Sequence, residues 1–268
     1  MTSKMKKSIL IIAIMALVLA SCSKQERTER KLVKAMLSED YETSFAAMNE
    51  FCDWLKSDKS TMTHDFNYAQ EKIGLKVNTS SDGQLRTYSW VTSQSESNAN
   101  YANVMQWISG ESMVGYSGPI DAMLTGRQPI VKRQWSLAHR IDTVYDIQEA
   151  TQPIYMFVES YTNENGLSFT YITAAINKGL KIEVLPFFFD GIETAGNREY
   201  IDDGNVQVSD LIKYDDKAKK LYAYVTNESH HVIPGQYEVY ALTPTRFVKV
   251  DKAAETAPST QEKSSNEK

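Results

Sequence analysis

The segment Ser81-Asp82-Gly83-Gln84-Leu85-Arg86-Thr87-Tyr88-Ser89-Trp90 sets a strand register by its chemistry alone. Asp-Gly favours a two-residue type I′ turn, because both central positions need positive φ. With Asp82 and Gly83 as the loop, Ser81 pairs with Gln84, Val77 falls opposite Tyr88 and Leu75 falls opposite Trp90. These apolar residues then share one sheet face, and a slip of one residue would scatter them.

The same alternation runs outward from this hairpin. Tyr101 to Tyr116 reads as a second hairpin with Gly110-Glu111 as its loop, placing Trp107 opposite Val114 and Met105 opposite Tyr116. Further strand-like segments are Ile141 to Ile147, Ile154 to Tyr161, Ser168 to Ile176, Leu180 to Phe188, Val208 to Tyr214, Leu221 to Thr226, Gln236 to Leu242 and Arg246 to Val250. Turn residues separate nearly all of them: Asn163 to Gly166, Asn177 to Gly179, Asp215-Asp216 and Thr243-Pro244. Connections this short impose antiparallel pairing, since a parallel partner needs a dozen or more residues to return. The expected fold is mainly β (α+β): an antiparallel β-meander of about twelve strands with an N-terminal helical segment. A sandwich, a barrel and a propeller-like set of blades all fit this pattern.

The helical segment is read from Tyr41, Phe45, Met48, Cys52 and Leu55, whose spacing of four, three, four and three marks one helix stripe. Leu32, Val33, Met36 and Leu37 suggest an earlier start, with Ser38-Glu39-Asp40 as a break.

Upstream, Lys4, Lys6 and Lys7 precede an apolar run from Ile9 to Ala20, the pattern of a secretory signal. Such a run reaches only about 18 Å as a helix, short of the roughly 30 Å hydrocarbon core. Its end, Leu19-Ala20-Ser21-Cys22, resembles the lipobox of bacterial lipoproteins, which implies acylation of the Cys22 thiol and cleavage just before it. The expected organisation is a signal peptide over residues 1–21, a polar tether over 22–31, one folded domain over 32–250 and a disordered tail over 251–268. The tail has no large apolar residue to bury.

Loss of residues 1–21 removes three lysines and no acid, moving the formal charge from −5 to −8. An acidic body without a basic, aromatic-laced stripe argues against nucleic acid. With Cys22 acylated, Cys52 has no internal disulfide partner and reads as an apolar filler. Stability must then come from an ordinary core, which a chain 42% hydrophobic can build.

Candidate chemistry is sparse. His64, His139, His230 and His231 show no helical metal spacing, and adjacent residues on an extended chain point apart, so no metal or other cofactor is expected. Gly115-Tyr116-Ser117-Gly118 lacks the second glycine of a nucleophile elbow, Pro119 standing there instead. Ile201-Asp202-Asp203-Gly204-Asn205 reads as a solvated turn, without the acid spacing of an EF-hand. No catalytic residue is nominated among 34 acids. Trp90 and Trp107 fall on apolar sheet faces, whereas Trp135, flanked by Arg133, Gln134 and Ser136, is the candidate exposed ligand contact.

The hairpin from Ser81 to Trp90, with Leu211-Ile212-Lys213-Tyr214-Asp215 and Tyr237-Glu238-Val239-Tyr240, resembles an uncharacterised family of Bacteroidetes lipoproteins that carry a DG-x-x-R-x-Y-S-W hairpin. Those relatives continue with an acid and a glycine-rich turn, where this chain has Val91-Thr92-Ser93-Gln94. The resemblance implies attachment to the outer membrane. Ser23-Lys24-Gln25-Glu26 only partly resembles the acidic surface-export signal of such bacteria, which favours the periplasmic side. Asp142-Thr143-Val144 is similar to their O-glycosylation sites. These readings lead to the expectation of a lipid-anchored envelope protein with a non-catalytic binding or structural role, its partner a membrane through Cys22 and a protein or glycan. The alternative is an envelope hydrolase acting on glycan or peptide.

Overall fold

A computed structural model describes residues 24–94, 99–109, 112–117, 139–148, 152–162, 165–178, 182–188, 194–202, 204 and 207–250. Residues 1–21, read above as a signal peptide, Cys22, Trp135 and residues 251–268, read as a tail, lie outside the described residues. Among those described, thirteen strands form three antiparallel sheets, and the fold is not a closed barrel. Sheet 1 follows the order β1 (Lys76–Thr79), β2 (Leu85–Gln94), β3 (Ala99–Ser109), β4 (Ser112–Ser117). Sheet 2 comprises β5 (His139–Ile147), β6 (Ile154–Thr162), β7 (Ser168–Asn177) and β8 (Ile182–Leu185), with β9 (Thr194–Tyr200) also paired to β7. Sheet 3 is β10 (Ile212–Asp215), β11 (Lys220–Thr226), β12 (Val232–Leu242) and β13 (Phe247–Lys249).

Strand alternation explains how the sheets stack. In sheet 1, Tyr88, Trp90, Ala102 and Val104 face a helical layer, while Leu85, Met105 and Trp107 on the opposite face meet Ile141, Val144, Tyr155 and Phe157 of sheet 2. The other face of sheet 2, with Met156, Val158, Ile172 and Ala174, packs on Ile212, Leu221, Ala223, Tyr240 and Phe247 of sheet 3. Strand β6 is therefore buried on both faces, from Ile154 through Ser160. The result is a stack of helices, sheet 1, sheet 2 and sheet 3. Trp90 and Trp107 are core residues, 1% and 2% exposed.

The expected register is present: Val77 pairs with Tyr88, Trp107 with Val114 and Met105 with Tyr116. Leu75 precedes the ladder by one residue and packs in the same cluster as Trp90. The turn itself differs from the type I′ expectation. Only Gly83 has positive φ, at 67°, and its N–H donates to the Ser80 carbonyl at 3.0 Å. Asp82 stays out of the left-handed region because its Oδ1 accepts from the Gln84 N–H and the Ser80 hydroxyl, a local cap that closes a longer loop in the same register.

The helical layer begins earlier than expected. Residues 24–36 form a helix, α1, so the segment read as a tether over 22–31 is folded from Lys24 onward. Its buried face includes Leu32, Val33 and Met36 but also Gln25 and Glu29, polar residues that sequence periodicity assigns to solvent. Helix α2 (Tyr41–Ser57) is capped by Asp40, whose Oδ2 accepts from the Thr43 N–H at 2.9 Å. Its buried stripe is Ala47, Met48, Phe51 and Leu55; Tyr41, expected inside, is 72% exposed. A 3-10 turn (Lys59–Thr63) and α3 (Asn67–Ile73) complete the layer.

Buried polar groups pin this layer to sheet 1. Gln106 donates to the Leu55 carbonyl and to Thr61 Oγ1, and accepts from the Tyr88 hydroxyl at 2.6 Å. Arg86 Nη1 donates to the Thr61 carbonyl at 2.7 Å.

In sheet 3 the segment expected as a strand from Val208 opens instead as a short helix, α4 (Val208–Leu211), before β10. Ser209 and Asp210 break the apolar alternation there.

Candidate functional site

The first strand of each sheet is an edge strand, and these three edges meet. The Asn78 amide donates to the Ile141 carbonyl at 3.4 Å, joining β1 to β5, and the Tyr145 hydroxyl donates to the Ile212 carbonyl at 3.2 Å, joining β5 to β10. Between them lies a groove of about 330 Å³ lined by Ser81, Tyr145, Asp146, Gln148, Tyr214, Asp216 and Lys219 among others. That volume sits at the lower end of small-ligand sites, which range from about 300 to 1,000 Å³.

Each wall follows from local sequence. Tyr145 and Tyr214, both half-buried, meet edge to face with ring centroids 6.0 Å apart. Asp216 and Lys219 belong to the β10–β11 turn, which Asp215 organises by accepting the N–H groups of Lys217 and Ala218. Lys219 adopts positive φ, 52°, a conformation that costs a side-chain-bearing residue about 1–2 kcal/mol. Its ammonium reaches Asp216 Oδ1 at 2.7 Å.

The two groove carboxylates are occupied as acceptors. Asp146 receives the Ser81 N–H and hydroxyl, each at 2.6 Å, and the Gln148 amide at 2.6 Å. The Lys219 hydrogen bond holds the Asp216 carboxyl below the usual carboxylate range, and Tyr214 adds a weaker contact at 3.3 Å. Burial pushes the Tyr145 hydroxyl up, keeping it a neutral donor. Chemically, the groove offers aromatic edges, amide and hydroxyl groups, one Asp–Lys ion pair and one carboxylate whose oxygens already accept neutral donors.

A second polar cluster is structural in character. Asp142, its side chain wholly buried, receives Arg140 Nε at 2.6 Å, Lys76 Nζ at 3.2 Å and the Ser160 hydroxyl. Two cations and a hydroxyl compensate the desolvated carboxylate and bolt β1 to β5. Thr143, the residue that would carry sugar in Asp142-Thr143-Val144, is half-buried beside a register shift in β5.

The residues singled out from sequence are dispersed. His64 is enclosed by Glu29, Trp54 and Phe66, while His230 lies 3.8 Å from Glu199 in the β11–β12 loop. Among the described residues no group of three or more His, Cys, Asp or Glu could hold a metal ion. Ser117 pairs with Val104 inside β4 and so stands in a strand. Gly204 N–H closes on Asp202 Oδ1 at 3.0 Å, a capped turn. Cys52 packs partly into the helical core. The groove residues escape a reading of the sequence because they come from three segments more than 60 positions apart; the turn signals at Asp82-Gly83 and Asp215-Asp216 are visible, their convergence is not.

No helix among the described residues is long and apolar enough to cross a membrane. Comparison of the chain with protein-family models, with curated proteins and with solved structures finds no match in any of the three.

Proposed function

We propose that this is a lipid-anchored envelope protein, held through Cys22 on the periplasmic side of a bacterial outer membrane, whose three-sheet body binds a neutral glycan in the groove without transforming it. The observation that carries the binding reading is the meeting of three edge strands around Tyr145 and Tyr214. Tyrosine rings offer apolar stacking surface beside hydrogen-bonding groups, the combination that sugar rings use. The pairing of Asp216 with Lys219 and the saturation of Asp146 favour an uncharged, hydroxyl-rich ligand. The anchor reading rests on the basic, apolar and Leu-Ala-Ser-Cys sequence of the N-terminus.

Isothermal titration with soluble cell-wall glycan fragments tests the binding reading. Tyr214→Ala is expected to weaken binding at least tenfold with the fold intact, and equal affinity in parent and variant would remove the groove from consideration. For the anchor, Cys22→Ser should abolish metabolic labelling by a fatty acid and leave an uncleaved precursor.

The hydrolase reading is favoured only by the presence of Asp146 and Asp216 in one groove. A general acid needs a carboxyl poised near neutrality, whereas Asp216 is held low by Lys219. Release of new reducing ends or peptide termini from envelope glycan, lost in Asp146→Asn, would restore it.

A further inference from the structure

We propose that the outward face of α1 is a docking surface for anionic phospholipid headgroups. The proposal rests on the lipid-anchor reading for its geometry and adds the surface that orients the body on the bilayer. In α1 the buried residues are Gln25, Glu29, Leu32, Val33 and Met36, which face the core. At about 3.6 residues per turn, Lys24, Arg27, Arg30, Lys31 and Lys34 occupy the opposite side. All five are exposed.

This basic stripe belongs to a chain that is otherwise acidic, formally −8 once residues 1–21 are removed. The carboxylates that approach it are few. Glu26 is exposed on the flank of α1 itself, one turn before Arg30; Glu50 pairs with Lys31 at 2.9 Å, both well exposed, Glu71 lies near Arg30, and Asp58 lies toward Lys24. Exposed pairs of this kind are weak and exchange readily for phosphate. Arg27 and Lys34 have no ion pair among the described residues.

Position supplies the second argument. Two residues of extended chain span at most about 7 Å, so acyl chains on Cys22 would deliver the start of α1 to the headgroup layer rather than leave it at the end of a long leash. One acyl signal combined with a polybasic surface is a stable mode of membrane attachment, and cations near an anionic leaflet each strengthen it. The stripe faces away from the core that α1 shares with sheet 1, and none of its residues lines the groove.

The test uses the mature chain from residue 23, without lipid, in co-sedimentation with phosphatidylcholine vesicles that contain or lack phosphatidylglycerol. Binding is expected only to the anionic vesicles and should vanish in high salt. The triple variant R27Q/K31Q/K34Q should bind about a hundredfold more weakly, following the contribution of each surface cation. Circular dichroism and an unchanged melting temperature confirm that the variant is folded, and the salt series on the parent chain needs no variant. Equal binding to neutral vesicles, no binding to anionic ones, or full binding by the triple variant would overturn the proposal. Because this assay contains no acylated protein, its failure leaves lipidation at Cys22 untouched, and failure of Cys22 labelling leaves the stripe result untouched.

Discussion

Glu29 and His64, 35 positions apart, meet at 2.8 Å inside the helical layer, where both side chains are almost fully buried. The second Glu29 oxygen accepts the Ala69 N–H at 2.8 Å and so supplies the cap that α3 lacks, since Phe66 at its N-cap is left-handed and has no side-chain acceptor. Glu29→Ala would strand a backbone donor and an imidazole in the core. The expected cost is about 2–4 kcal/mol. For a chain of this size that lowers the melting temperature by roughly 5–10 °C in calorimetry. A melting temperature equal to the parent's would show that the segment from Lys24 is dispensable to the fold.

The Ser80–Gly83 turn predicts an asymmetric response to substitution. Gly83 alone needs positive φ, and a Cβ there meets no neighbour within 4 Å, so any penalty is conformational. Gly83→Ala should destabilise by about 1 kcal/mol in urea unfolding, and Gly83→Asn by less. If Asp82→Gly proved strongly stabilising instead, a left-handed Asp82 and hence a type I′ turn would have to be reinstated.

Acid should weaken the protein through its capped carboxylates. Burial alone would raise Asp82, but hydrogen bonds from the Ser80 hydroxyl, the Gln84 N–H and the Tyr155 hydroxyl outweigh it and hold the carboxyl below its ordinary value. Asp58 is held low in the same way, by Ser60 and Trp54 against burial. A depressed folded-state value contributes stability that is complete above the unfolded value, near 4, and is lost as pH falls through the folded one. Urea midpoints measured from pH 6 down to 2.5 should decline below about pH 4, and Asp82→Asn should flatten that decline.

Cys52 should be chemically quiet. Burial pushes its thiol up to about 12, so the thiolate that alkylating reagents require is nearly absent at pH 8. In a Cys22→Ser background, labelling by iodoacetamide should be slow in buffer and complete in guanidinium. Rapid labelling of the native protein would mean that α2 opens.

The parts of the fold legible in sequence were those where turn chemistry and alternation agree, as in the pairings Val77 with Tyr88 and Trp107 with Val114. Strand β9, Thr-Ala-Gly-Asn-Arg-Glu-Tyr, was missed because it has no apolar alternation; its place is fixed by pairing along β7 from Ser168 to Thr173. The start of α1 was missed for a related reason, since Gln25 and Glu29 are buried by partners distant in sequence, Ser60 and His64. In α2 the stripe Tyr41, Phe45, Met48, Cys52 and Leu55 is rotated from the buried one, Ala47, Met48, Phe51 and Leu55, because several apolar residues flank the true centre. The groove could not be read at all, as it is a property of three sheets meeting rather than of any one segment.

A middle layer such as sheet 2, with oily side chains above and below β6, has no solvent face on which to stand by itself. Severing the chain between sheets, whether by protease or by an engineer hoping for a smaller soluble fragment, would lay bare a slab of hydrocarbon on each piece. The polypeptide must therefore ripen as one unit, and shortened versions should clump rather than reveal separable modules.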